Sequence, residues 1–178
     1  MSADNQQERL PKKSKYLHYY IAGFVDGEGC FSVSIHRRES ARFGWIVDPM
    51  FQVYQHKDNR QTLELIKNTF QCGYITEKSG SSNVSTYIVD NRRDLIGKID
   101  PFFRKHQLIS NKYSSFLLFS EIVARMAKRD HWEKDGLKEI IVLAFRMNSS
   151  GRQRKYSLEE VLSSLEESSE TTRQTILR

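Results

Sequence analysis

Cysteine is scarce in this chain, and long apolar runs are absent from it. Its 178 residues include only two cysteines, Cys30 and Cys72, which are too few and too isolated for a disulfide framework or a zinc site. No stretch approaches the length that spans a membrane. The first fifteen residues contain acids and lack an apolar core, so they match neither a signal peptide nor a transit peptide. We therefore expect an intracellular protein that is not secreted, acting in a chloroplast, a mitochondrion or a bacterial cytoplasm.

Acidic residues are also in short supply outside one segment near the C-terminus. The net charge is +6, although residues 157–170 carry five Glu and no basic residue. Residues 1–156 hold 26 basic and 17 acidic side chains, an excess of nine positive charges. Such an excess favours a polyanionic partner, because each Lys or Arg that meets a phosphate releases condensed counterions. The alternative is a basic surface that is merely solvated.

Hydrophobic periodicity predicts a mixed α/β fold with the order αββαββ followed by helices. We expect a flexible arm over residues 1–14, a single domain over 15–150 and a C-terminal helical tail over 151–178. Asp58 and Asn59 are candidates to cap the second helix, and Ser157 with Glu160 forms a capping box before the last. Strand patterns lie at 30–38, 46–55, 73–78 and 84–90, and helical patterns at 15–27, 59–70, 91–99, 110–128, 136–147 and 158–168.

The predicted strands have one apolar and one polar face. In the first strand, Phe31, Val33 and Ile35 share one face, and the other face carries polar residues that nearly lack acids. Such side chains suit contact with base edges in the major groove of DNA, although an ordinary solvated sheet face would look similar. The fourth strand leaves open which face Tyr87 takes. The candidate base contacts are Ser32, Ser34, His36, Arg38, Gln52, Tyr54, Thr76, Lys78 and Thr86.

Glu28 lies between Gly27 and Gly29, where the first helical pattern gives way to a strand pattern. The C-terminal end of a helix carries unpaired carbonyl groups and the negative pole of the helix dipole, so an isolated carboxylate is poorly placed there. A carboxylate that shares a divalent cation is well placed there, and a Gly27 carbonyl can point at the same ion. The alternative is a structural acid in a glycine-rich turn.

The segment IAGFVDGEG at residues 21–29 resembles the motif that names the LAGLIDADG homing endonucleases. The resemblance covers roughly residues 15–128, and the segments 43–56 and 78–92 are most similar to enzymes encoded in organelle ribosomal-RNA introns. It implies a saddle-shaped antiparallel sheet with helices packed on one face and the motif helix at a dimer interface. The family usually ends its motif in Asp-Gly, whereas this chain has Glu-Gly.

The resemblance implies a role for several residues. Glu28 would bind Mg²⁺ with the help of the Gly27 carbonyl, and Asp26 would support the helix end or the interface. Gln55 matches the residue that positions the attacking water, and Arg60 lies near a family arginine but is offset by one. The active-site lysine would be Lys112, with Lys105 or His106 as alternatives under another alignment.

A single copy of the motif predicts a homodimer, with helices that pack through Ala22, Gly23 and Asp26. Two Glu28 carboxylates at a twofold axis would hold two or three Mg²⁺ ions, which Mn²⁺ would replace and Ca²⁺ would mimic without supporting cleavage. The expected product is a double-strand break with short 3′ overhangs in a pseudo-palindromic DNA target. The alternatives are an intron RNA maturase, a non-cleaving DNA-binding protein of the same fold, or a basic ribosome-associated domain.

Overall fold

The structure is a computed structural model that describes residues 15–78, 80–147 and 155–176. The predicted arm at 1–14 lies outside the described residues. The helices are α1 (Lys15–Glu28), α2 (Arg60–Phe70), α3 (Arg92–Asp94), α4 (Asp100–Lys105), α5 (Lys112–Ala127), α6 (Lys134–Met147) and α7 (Leu158–Ile176), and a π-helical segment at Leu95–Ile99 joins α3 to α4. The strands are β1 (Gly29–Arg37), β2 (Trp45–His56), β3 (Tyr74–Lys78) and β4 (Ser81–Val89). No helix among these residues is both long enough and apolar enough to cross a membrane.

The four strands form one antiparallel sheet in the order β1-β2-β4-β3. The inner face of this sheet carries Phe31, Val33, Phe51 and Val53, which belong to the hydrophobic core formed with the helices. Tyr87 also lies on this face and is fully buried, which settles the open choice in β4. The outer face carries the alternate residues, so the alternation predicted for β1 and β2 is confirmed.

The connection from β2 to α2 differs in detail from the predicted cap. Leu63, Ile66 and Phe70 form the buried stripe of α2, as predicted. Asn59 occupies the N-cap position, but its side chain makes no capping hydrogen bond. A short 3₁₀ turn at Lys57–Asn59 precedes the helix, and His56 Nδ1 accepts a hydrogen bond from the Asp58 amide there. Asn59 thus holds a predicted cap position without making the side-chain hydrogen bond expected from the sequence.

The acidic C-terminal segment forms α7, which packs into the same core as the sheet. Val161 and Leu165 are fully buried, and Trp45 Nε1 donates to Ser164 Oγ at 3.2 Å. The capping box is confirmed, because the Glu160 amide donates to Ser157 Oγ and the Ser157 amide donates to the Glu160 carboxylate. Hydrogen bonds from Lys138 and Lys134 lower the pKa of Glu166 to about 2. The helix predicted as a tail is therefore an integral part of the packed domain.

Candidate active site

The junction between α1 and β1 exposes Glu28. Gly29 begins β1 and is buried, and a Cβ atom at this position would lie 2.5 Å from Val25 Cγ1 and 2.7 Å from the Val25 carbonyl oxygen. Only glycine lets the strand leave the helix so closely. Gly27 and Glu28 are both exposed, and Glu28 makes no hydrogen bond or salt bridge to the rest of the described chain. The junction therefore presents one carboxylate beside the last carbonyl groups of α1.

Lys112, at the start of α5, reaches this junction. Its Nζ atom donates to the Val25 carbonyl at 2.9 Å and to the Gly27 carbonyl at 3.2 Å. Burial lowers the pKa of Lys112, while the negative charges of Asp26, Cys30 and Glu28 act in the opposite direction. The structure thus brings a cation to the carbonyl end of α1, in the electrostatic range of Glu28.

The two alternative basic residues lie elsewhere. His106 is 7% exposed and packs against the rings of His18, Tyr19 and Phe102. Lys105 is exposed at the end of α4. Of the three candidates for the active-site lysine, only Lys112 contacts the junction. The sequence could not decide this, because the choice depends on where α5 begins relative to α1.

Asp26 holds the segment that leads into α5. Its carboxylate accepts hydrogen bonds from the backbone amides of Ile109 and Ser110, each at 3.0 Å, and from Ser110 Oγ. Ser110 Oγ in turn accepts from the Lys112 amide at 3.2 Å. Burial alone would raise the pKa of Asp26, but the hydrogen bonds from Ser110 and Ile109 and the charge of Lys112 together lower it. Asp26 therefore fixes the chain that carries Lys112, and its predicted role at the helix end or the interface stays a prediction.

Gln55 and Arg60 differ in their relation to Glu28. The register pairs Gly29 with Val53, so Gln55 lies two residues farther along β2, towards the helix end of the junction. Gln55 Oε1 accepts from the His56 amide at 2.7 Å. Arg60 begins α2 and pairs with Glu64 at 3.2 Å. No contact within the described residues joins Arg60 to Glu28 or Gln55.

Most of the predicted base contacts line the outer face of the sheet. Ser34 and His36 are exposed, Ser32 is half-buried, and Tyr54 Oη donates to Gln52 Oε1 at 3.0 Å. Thr76 is exposed on β3, Arg38 is exposed just after β1, and the side chain of Lys78 lies outside the described residues.

Thr86 lies on the outer face but does not present its hydroxyl there. It is 2% exposed, and its Oγ1 atom is buried without a hydrogen-bond partner. The reason is its place in β4, an inner strand, where Tyr54 and Thr76 are its partners on either side. Thr86 is therefore a buried residue in this conformation, contrary to its predicted role as a base contact.

The same face holds an acid that the sequence analysis missed. Asp48 is on β2, and its Oδ2 atom lies 3.6 Å from His36 Nε2. The sequence did contain a signal for this position. Asp48 is an even number of residues from Gln52 and Tyr54 in the segment IVDPMFQVYQ, so strand alternation puts it on the same face.

The exposed side of α1 forms a stripe of Tyr16, Tyr19, Tyr20, Gly23 and Gly27. A Cβ atom at Gly23 or Gly27 would meet no other atom within 4 Å. Ala22, which was predicted to share this surface, is instead 4% exposed and faces inward with Ile21 and Val25. The helical period explains the difference, because residues 21, 22 and 25 share one face of a helix. The tyrosines of the stripe were not among the predicted interface residues.

Comparisons with known proteins agree with this geometry. Residues 21–123 match the family model described as LAGLIDADG endonuclease. Homing endonuclease I-ApeII of Aeropyrum pernix is 31% identical over 82% of this chain and 88% of its own length. Probable intron-encoded endonuclease 2 of Neurospora crassa is 38% identical over 68% of this chain, which spans only 27% of that longer relative.

A solved structure extends the likeness to the fold. The archaeal intron-encoded homing endonuclease I-Vdi141I, complexed with DNA, is 34% identical and superposes with a TM-score of 0.82 over 88% of this chain and 99% of its own. The family model covers more than half of the chain, and its match begins in α1 and ends in α5. These matches span the exposed Glu28 junction, the four strands and Lys112. The chain belongs to the LAGLIDADG endonuclease family.

Proposed function

We propose that this chain is one subunit of a homodimeric, site-specific DNA endonuclease. The observation that carries the proposal is the exposed Glu28 carboxylate at the end of α1, next to the Gly27 carbonyl that Lys112 Nζ contacts at 3.2 Å, on a helix whose outer stripe contains Gly23 and Gly27. Family membership and the DNA complex of I-Vdi141I support a double-stranded DNA substrate.

The donor atoms of one chain explain why two copies are needed. The described residues contain no group of three or more His, Cys, Asp or Glu side chains that could hold a metal ion. Asp26 is already engaged by Ile109 and Ser110, so among the described residues of the junction the oxygen donors left for a metal ion are Glu28 and the Gly27 carbonyl. Both are hard oxygen donors of the kind that Mg²⁺ binds, and the Gly27 oxygen has a second lone pair besides the one that faces Lys112. A twofold axis through the α1 stripe would bring two such sets together.

The chain's own residues would each contribute one step to strand cleavage. Glu28 and Gly27 would hold Mg²⁺, which activates water and neutralises charge on the phosphate. Gln55 would orient the attacking water, and Lys112 would stabilise negative charge that develops on the phosphate. Arg60 would assist only if it leaves Glu64. Each chain would cut one strand, and the resemblance to the family implies short 3′ overhangs.

The outer face of the sheet would read the target in the major groove. Ser34, His36, Gln52, Tyr54 and Thr76 offer donors and acceptors to base edges. Two sheets related by a twofold axis would require a pseudo-palindromic target, with one half-site for each subunit.

The proposal is tested with Glu28→Gln and a control, Glu159→Gln, which removes the same charge from an exposed position on α7. A randomised duplex library is first selected by binding in Ca²⁺, and the selected DNA is then incubated with Mg²⁺ or Mn²⁺. Wild type and Glu159→Gln should bind in Ca²⁺ and cut both strands in Mg²⁺. Glu28→Gln should bind without detectable cleavage.

Two results would contradict the proposal. Cleavage by Glu28→Gln at the wild-type rate would show that the Glu28 carboxylate is not needed for catalysis. Selective binding by wild type, with no cleavage in Mg²⁺ or Mn²⁺, would assign the chain to the non-cleaving DNA-binding proteins of the same fold.

A further inference from the structure

Asp48 is the only carboxylate among the outer-face side chains of β1 and β2, all of which lie within the described residues. Its side chain is 48% exposed, and the chain turns it to the same side as Gln52 and Tyr54. The neighbouring contacts are the His36 ring at 3.6 Å and Ser34 Oγ, which donates to the Asp48 backbone carbonyl. The carboxylate therefore keeps an open side towards whatever occupies this face.

A carboxylate on a DNA-facing surface is electrostatically unfavourable unless it accepts a hydrogen bond. The phosphate backbone carries a dense negative charge, which repels Asp48. The contact with His36 does not remove this repulsion, because both side chains are half exposed to water. A base-edge donor would satisfy the carboxylate in a way that a phosphate cannot.

We propose that Asp48 reads one cytosine in each half-site of the target. Cytosine presents only its N4 amino donor in the major groove, whereas guanine presents two acceptors and thymine one acceptor with a methyl group. Adenine offers an amino donor, but its N7 acceptor lies beside it and would repel a carboxylate. Asp48 therefore selects for cytosine and against the other three bases. This inference rests on the proposed DNA-binding function.

The position of this cytosine follows from strand geometry. Asp48 lies four residues from Gln52 along β2, which at about 3.3 Å per residue is about 13 Å. Bases on one DNA strand are about 3.4 Å apart, so this distance corresponds to about four base pairs. Because Val53 pairs with Gly29 beside the Glu28 junction, Asp48 lies on the far side of Gln52 from the active site. We expect the cytosine about four base pairs farther from the twofold axis than the base pair next to Gln52.

The test compares base preferences in a randomised duplex library that is selected by binding in Ca²⁺. Wild type is compared with Asp48→Asn, Asp48→Ala and the control Asp135→Asn, which removes the same charge from an exposed site on α6. Wild type and the control should prefer cytosine at one position in each half-site by about fivefold or more. Asp48→Ala should lose that preference, and Asp48→Asn should shift it towards adenine, which an amide contacts through N6 and N7.

The outcomes separate this inference from the proposed function. If wild type selects a defined target but Asp48→Ala and Asp48→Asn select the same bases, Asp48 only pairs with His36 and the cytosine assignment is wrong. A preference change spread evenly over all positions would also overturn it, because that is the effect of a charge rather than of a base contact. If wild type selects no sequence at all, the proposed function fails and this inference fails with it.

Discussion

Asp26 and Glu28 lie two residues apart at the end of the same helix and have different partners. Asp26 accepts three hydrogen bonds from Ile109 and Ser110, so its charge is used within the chain. Glu28 is exposed and has no such donors. The half-turn between them decides which acid anchors the start of α5 and which acid is available to a metal ion. One carboxylate thus positions Lys112, and the other would share the site with it.

Replacing Asp26 by Asn should destabilise the fold, because the amide group cannot accept all three hydrogen bonds. We expect a loss of about 2 kcal/mol in the free energy of unfolding, measured by urea denaturation at pH 7. Ser110→Ala is the matched control, since it removes the Ser110 Oγ contacts and keeps both amide donors to Asp26. Ser110→Ala should lose less free energy of unfolding than Asp26→Asn. Equal losses would mean that the amide hydrogen bonds contribute nothing.

The pH dependence of this difference follows from the pKa of Asp26. Burial acts to raise this pKa, and the hydrogen bonds from Ser110 and Ile109 lower it overall below the ordinary value of 3.8. The stabilisation by the Asp26 carboxylate is therefore fully present above pH 3.8 and is lost as the pH falls through the lowered pKa. The stability gap between wild type and Asp26→Asn should stay constant from pH 7 to pH 5 and shrink at more acidic pH. A gap that widens on acidification would contradict this assignment.

At the scale of elements, α7 covers part of the core that the first six helices leave open. Its buried Leu165 and Val161 complete the hydrophobic cluster, and Tyr156 before it packs its ring 4.9 Å from that of Trp45. Lys134 and Lys138 pair with Glu166 across the α6–α7 contact. Glu166 therefore lies on a structural helix and pairs with two basic side chains of α6.

Shortening Leu165 should reveal how much stability α7 contributes. Leu165→Ala removes a fully buried side chain and should cost about 3 kcal/mol of unfolding free energy. Leu117→Ala on α5 makes the same chemical change at a side chain that is 43% exposed, and should change stability by about 0.5 kcal/mol or less. Chemical denaturation followed by circular dichroism measures both. A cost for Leu165→Ala no larger than that for Leu117→Ala would mean that α7 is not docked in solution.

Local patterns were enough to predict the elements that have a clear period. The alternation in β1 assigns both faces correctly, because Phe31 and Val33 must enter the core together, and Ser157 with Glu160 marks the start of α7. The inward position of Ala22 was missed although the helical period of α1 indicates it. The burial of Thr86 between two neighbouring strands depends on tertiary packing and could not be predicted from local patterns. Lys112 was favoured by the resemblance, but its contact with the junction depends on how α5 packs against α1, which separates it from Lys105 and His106.

At the scale of the whole molecule, charge and symmetry act together. The net charge of +6 would draw the protein to DNA of any sequence, and the outer face of the sheet would supply base contacts. Neither property would bring two Glu28 carboxylates together in the proposed dimer. Such pairing would require a surface that lets two α1 helices approach closely, and the stripe at Gly23 and Gly27 has this shape.

Gly23→Ala separates the stability of one chain from the stability of the proposed dimer. Within one chain the new methyl group meets nothing within 4 Å, and alanine favours a helix interior over glycine by about 1 kcal/mol, so the isolated subunit should become slightly more stable. Across a close helix contact the same methyl group would overpack the interface at a cost of about 1–3 kcal/mol, which corresponds to a dimer dissociation constant about 5-fold to 160-fold higher. Sedimentation velocity over a range of protein concentrations measures this constant.

Gly97→Ala provides the control, because Gly97 is also exposed in a helical segment and its Cβ would also meet nothing within 4 Å. Gly97→Ala should leave the dissociation constant unchanged. If the Gly23→Ala dimer is as tight as wild type, the twofold contact lies elsewhere on the surface.

Cleavage activity measures the same monomer–dimer equilibrium independently. If each Glu28 needs its partner, Gly23→Ala should lose activity when diluted and recover it above its raised dissociation constant, because dimer concentration at high dilution falls with the square of subunit concentration. Activity that stays proportional to subunit concentration throughout that range would mean that a single chain completes the chemistry.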